Sequence, residues 1–80
     1  MVFQVLNKLK WTGRLDSAEI VFVHRGARGD IKVISGKSIA ELKKGHLVYR
    51  NRQETVIPLH RVVEVRVSGE VLWRRKPRGE

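Results

Sequence analysis

Two short apolar runs, Ile20-Val21-Phe22-Val23 and Ile31-Lys32-Val33-Ile34, flank the stretch His24-Arg25-Gly26-Ala27-Arg28-Gly29-Asp30. No other part of the chain limits the fold as strongly. Runs rich in β-branched residues on either side of a glycine-containing connection predict a β-hairpin. Alternation sets Ile20, Phe22 and His24 on one face of the first strand and Val21, Val23 and Arg25 on the other. Both faces begin apolar, so this strand, about residues 19–24, is expected in the interior of a sheet. The connection itself is chemically loaded. Gly26 and Gly29 allow close backbone approach to a ligand, and arginine grips phosphate through a planar fork. Lys32 falls where it can lie near His24 across the hairpin. A solvated turn, its charges serving solubility, is the plainer alternative.

The remainder reads as a helix followed by further strands. Val2, Phe3, Val5, Leu6 and Leu9 share one side of a helical wheel, with Trp11 near the end and Gly13 as the stop. Trp11 is expected to pack in the core or at the helix end rather than to stack on a base. Gly36-Lys37-Ser38 and Ile39 to Leu42 read as a loop and one helical turn, with Ser38 as N-cap. Gly-Lys-Ser resembles the end of a phosphate loop, but Ile31 stands where that motif needs a glycine. His46 to Arg50 and Glu54 to Ile57 are strands, the second stopped by Pro58; His46 is read as a strand start with no role. Arg61 to Arg66 and Glu70 to Arg75 form a second hairpin. A three-residue loop, Val67-Ser68-Gly69, would pair Val65 with Val71, Val63 with Trp73 and Arg66 with Glu70. His60 would then share the polar side with Glu64 and Arg66. The expected fold is α+β: one N-terminal helix packed on an antiparallel sheet of five to six strands, with curling into an open barrel as a variant. Residues 1–75 form a single domain, and 76–80 a frayed basic tail.

A chain of 80 residues buries only about 60% of its unfolded surface, so an open groove is expected rather than an enclosed cavity. The lack of cysteine removes disulfides and thiolate chemistry and fits a reducing compartment. No apolar run is long enough to span a bilayer, so no membrane partner is expected and the location is read as cytoplasmic. The net charge is +9. Up to residue 73 there are 13 basic and 7 acidic residues, so the excess belongs to the folded part and not to the tail alone. A positive excess spread over a domain points to a polyanion, nucleic acid first. Phe3, Trp11, Phe22, Tyr49 and Trp73 are too few for a multi-base stacking platform.

Two His-Arg pairs carry the candidate chemistry: His24-Arg25 with its glycine loop, and His60-Arg61 after Pro58. Histidine exchanges protons near neutral pH and arginine holds phosphate. Brought together, His24, Arg25, Gly26, Gly29, Lys32, His60 and Arg61 would cradle a terminal phosphate. His24 and His60 are also the candidates for acid and base in a cyclic phosphodiesterase or ribonuclease. A non-catalytic adaptor in an RNA-processing complex is the third reading. His24, Asp30 and His60 are too sparse to indicate a metal, and no cofactor motif is present.

These same residues carry a resemblance. His24-Arg25-Gly26-Ala27 with Gly29-Asp30 and Lys32, followed by Ile57-Pro58-Leu59-His60-Arg61, resembles a small archaeal family. Its domain is proposed to recognise RNA ends bearing a 2′,3′-cyclic phosphate or a similar cyclic group. Val5-Leu6-Asn7-Lys8, Trp11 and Gly69-Glu70-Val71-Leu72 are similar to that family as well. The resemblance covers nearly the whole chain. It implies RNA as partner, with RNA-processing enzymes around it, since related domains are fused to nucleotidyltransferases and two-histidine phosphoesterases. The RNA species and the oligomeric state stay open.

Overall fold

A computed structural model describes residues 2–24 and 28–75. Helix α1 (Val2–Trp11) buries Val2, Leu6 and Leu9, the i, i+4, i+7 stripe of an amphipathic helix. It closes with a Schellman motif: Gly13, at φ +73°, donates to the Lys10 carbonyl at 3.3 Å, and Arg14 donates to that of Leu9 at 2.9 Å. The left-handed turn needs glycine, so Gly13 is the stop that the pattern predicts.

Strands β1 (Ala18–Val23), β2 (Ile31–Ser35), β3 (Ile39–Leu42), β4 (His46–Arg50), β5 (Glu54–Pro58), β6 (Val62–Val67) and β7 (Glu70–Arg74) follow. They form two antiparallel sheets, ordered β2-β1-β6-β7 and β3-β4-β5, and not one sheet of five to six strands. No closed barrel is formed among the described residues. β1 is interior to its sheet, as its two apolar faces require. The added strand is β3, where a helical turn was expected. Four residues can make almost no helical hydrogen bonds, whereas pairing Ile39 with Tyr49 and Leu42 with Leu47 adds a ladder and burial. The 3₁₀ turn before it, Gly36–Ser38, is capped by Ser35 rather than Ser38: Ser35 Oγ accepts from the Lys37 N–H at 3.2 Å. Gly36 sits directly against the backbone of the 3₁₀ turn Leu15–Ser17, where a Cβ would collide with the Leu15 carbonyl.

Both sheets and the helix share one core. Its fully buried side chains, Leu6, Ile20, Leu47, Val62 and Val65, come from α1, β1, β4 and β6. Two bulges tune the four-stranded sheet. In the β6–β7 hairpin the turn has two residues, Ser68 and Gly69, both left-handed at φ +52° and +83°. Val67 pairs with Glu70 and Arg66 with Val71; Leu72 is then passed over, and Val65 meets Trp73. The expected pairs Val65–Val71, Val63–Trp73 and Arg66–Glu70 are not formed. A two-residue loop alone would set apolar against charged positions; the bulge shifts the register by one and restores the match. In β6 itself, Val62 faces Phe22 and Glu64 faces Val21, with Val63 passed over. No helix among the described residues is long and apolar enough to cross a membrane. The 76–80 tail lies outside the described residues.

Candidate nucleic-acid interface

Because Phe22 lies opposite Val62, the neighbouring strands β1 and β6 bring His24 and His60 to the same end of the sheet. His24 stands two residues beyond Phe22, and His60 two residues before Val62. The two blocks are held in different ways.

At the first, the His24 N–H donates to the Asp30 carbonyl at 2.8 Å and closes the loop. The exposed imidazole meets the Phe22 ring edge-on, with centroids 6.2 Å apart at 85°. Lys32 lies opposite Phe22 on β2. Its Nζ is 3.4 Å from the Tyr49 hydroxyl and 5.7 Å from that ring's centroid. Tyr49 in turn lies 6.2 Å from Phe22. Two buried rings thus form a floor with His24 and Lys32 at its margin. Beside it, Lys32, Tyr49, Asn51, Arg52, Gln53 and Thr55 line a polar cleft of about 170 Å³ with two cations and no carboxylate. Gly29 is left-handed at φ +69° with open space around it, which leaves its backbone approachable. Arg25 and Gly26 lie outside the described residues. Tyr49 and Arg52 escaped sequence reasoning. Nothing local marks them, because the β4–β5 turn meets the β1–β2 hairpin only through the tertiary fold.

The second block lies on a 3₁₀ turn, Leu59–Arg61. Leu59 is buried, and its N–H donates to the Gly45 carbonyl at 3.0 Å. Arg75 clamps the turn from the far end of the chain: its Nε donates to the Val62 carbonyl at 3.1 Å and its Nη2 to that of Leu59 at 3.3 Å. The same guanidinium lies 5.2 Å over the Trp73 ring. His60 therefore lines an open groove of about 430 Å³, its floor including Phe3, Leu59 and Trp73 and its rim Lys44 and Arg75. This is the helix side, not the side of Glu64 and Arg66. The bulge at Val63 and the 3₁₀ turn break the alternation that put His60 with those charges. Arg61 is exposed next to it.

The charges divide by face. On the outer face of the four-stranded sheet, Glu64 Oε1 accepts from Arg74 Nε at 2.9 Å. Arg66 Nε lies 3.1 Å from Glu64 Oε2 and 3.9 Å from Glu19, close enough for ion pairs but not aligned to donate a hydrogen bond. Among the described residues ion pairs engage only Arg50, Arg66 and Arg74 as cations. Lys8, Lys10, Arg14, Lys32, Lys44, Arg52 and Arg61 have no such partner there. Cations left without an ion-pair partner suit a polyanion.

A model of the MJ1316 RNA cyclic group end recognition domain matches residues 1–75. The chain belongs to this family. An archaeal UPF0248 protein of Pyrobaculum aerophilum is 45% identical over 75 residues, covering 91% of this chain and 96% of that one. A second, of Methanocaldococcus jannaschii, is 39% identical over 80 residues and covers 95% of both. A third, of Thermococcus onnurineus, is 40% identical over 84 residues, covering 99% of this chain and 92% of its relative. No solved structure matches the chain. The family description carries RNA binding with it; the names of the relatives specify no activity.

Proposed function

We propose that this domain recognises phosphate-bearing RNA ends, 2′,3′-cyclic phosphate among them, as a binding module working beside RNA-processing enzymes in the cytoplasm. His24, Lys32 and the backbone at Gly29, together with Arg25 and Gly26, would hold the phosphate from the hairpin loop. His60 and Arg61 would close on it from the neighbouring strand. The supporting observation is the β1–β6 register: Phe22 faces Val62, and His24 and His60 each stand two residues from that pair at one end of the sheet. Imidazole N–H groups and guanidinium forks are charge-assisted donors to phosphate oxygens, and each such hydrogen bond outweighs a neutral one. The test is a titration of end-labelled oligonucleotides that differ only in their terminal group. Phosphate-bearing ends should bind about tenfold more tightly than hydroxyl ends, the effect of roughly one charge-assisted contact. Affinity should also fall steeply with salt as counterions are released. Equal affinity for all ends removes the end-recognition claim.

A further inference from the structure

Among the described residues the most exposed large apolar side chain is Trp11, with 81% of its surface accessible. The helix end on which it sits needs nothing from the ring. The Lys8 carbonyl accepts from Thr12, that of Leu9 from Arg14 and that of Lys10 from Gly13, so the last turn is closed by backbone and hydroxyl donors. The buried stripe of α1 is complete with Val2, Leu6 and Leu9. Trp11 lies about 200° around the helix from Leu9, at about 100° per residue. Asn7 and Lys10 form an open depression with it.

The helix face that carries this depression also reaches the His60 groove at Phe3. Phe3, Asn7, Lys10 and Trp11 follow i, i+4, i+7, i+8 spacing and share one helix face, and Phe3 belongs to the groove floor. Phe3 and Trp11 are separated by about 12 Å along the axis, at about 1.5 Å per residue. The α1 sequence contains no carboxylate, while Lys8, Lys10 and the following Arg14 make no ion pair among the described residues. We infer that Trp11 is a second contact point for single-stranded RNA: a base upstream of the bound end stacks on its indole, with Lys10 and Lys8 beside the sugar-phosphate backbone.

This inference rests on the RNA reading above and adds the direction in which the strand leaves the end site. A protein partner docking on α1 would need further apolar anchors three or four residues from Trp11. Those positions are Lys8 and Asn7. A base needs only one exposed ring face and a cation nearby, which is what the helix presents.

The test compares the wild-type chain with Trp11→Ala and Trp11→Phe, using RNAs of about two and about eight nucleotides that carry the same end group. The longer RNA should bind the wild type more tightly. Trp11→Ala should lose about tenfold on the longer RNA, the scale of one lost stack, and nothing on the shorter one. Trp11→Phe should recover most of that loss. Quenching of indole fluorescence by the longer RNA should fall in Trp11→Ala to the level that Trp73 alone gives, the level seen with the shorter RNA. Unchanged thermal melting in both variants establishes that the fold is intact, as the exposure of the ring requires. Equal affinities of wild type and Trp11→Ala for the longer RNA overturn the inference, as would a partner protein bound through Trp11 with RNA affinity unmoved. A length effect that depends on Trp11 without any preference for phosphate ends would leave this contact standing and remove end recognition alone. Absence of RNA binding overturns both.

Discussion

His24-Arg25 and His60-Arg61 are the same dipeptide, two residues from facing positions on adjacent strands, yet the fold treats them differently. His24 rests on the side of an aromatic floor, tied through its backbone to Asp30. His60 sits on a one-turn 3₁₀ helix pinned by Gly45 on one side and by Arg75 on the other. The first is positioned by burial of its neighbour, the second by hydrogen bonds from a residue remote in sequence. A repeated motif therefore does not imply a repeated mechanical role; the supports decide what each copy can do.

That difference can be broken experimentally, beginning with the floor. Phe22 is 2% exposed and touches both His24 and Tyr49. Phe22→Ala should cost about 3–5 kcal/mol, read as a lower midpoint in denaturant unfolding. A loss below about 1 kcal/mol would mean that the floor is not what seats His24. Removing the clamp should be milder. Arg75→Ala loses two part-buried, charge-assisted hydrogen bonds, so about 1–2 kcal/mol of stability is expected. Lysine should not replace it, since an ammonium cannot span both carbonyls as the planar fork does.

A double-mutant cycle sharpens the contrast. RNA affinities of Arg75→Ala and His60→Ala should be non-additive by about 0.5 kcal/mol or more, while Arg75→Ala and His24→Ala should add. Coupling of Arg75 to both histidines would merge the two blocks into one unit. Single cations come next. Lys32→Ala and Lys44→Ala should each weaken RNA binding by about 1 kcal/mol and lower the salt slope by about one, measured across a salt series. Only Lys32→Ala should also reduce the preference for a phosphate end. The smallest effect belongs to the outer face. Glu64→Gln disturbs the ion pairs with Arg66 and Arg74 and should change stability by no more than about 1 kcal/mol, without weakening RNA binding.

Several misreadings share one cause. A bulge changes which residues face one another by a single step, and in a strand a single step reverses the side. Leu72 and Val63 are both passed over, and no local signal distinguishes them from the valines and leucines around them. The β6–β7 register and the side of His60 went wrong for that reason. Trp11 is different, because its exposure was legible. Leu9 anchors the buried stripe, and two residues further around a helix is nearly the opposite side; the general tendency of tryptophan to be buried concealed a simple angular fact. Arg74 and Arg75 end the expected strand, but nothing local tells that Arg74 pairs with Glu64 or that Arg75 clamps the 3₁₀ turn.

What the amino-acid order determined by itself was local: α1 and its glycine stop, both hairpins, the interior position of β1 and the positive excess. Each follows from periodicity, turn chemistry or charge, which are properties of neighbouring residues. The tertiary structure alone decided the split into two sheets, the bulges, the Arg75 clamp and the meeting of Lys32 with Tyr49. These depend on contacts between segments distant in the chain, and their energy exists only once the shared core has closed and brought those segments together.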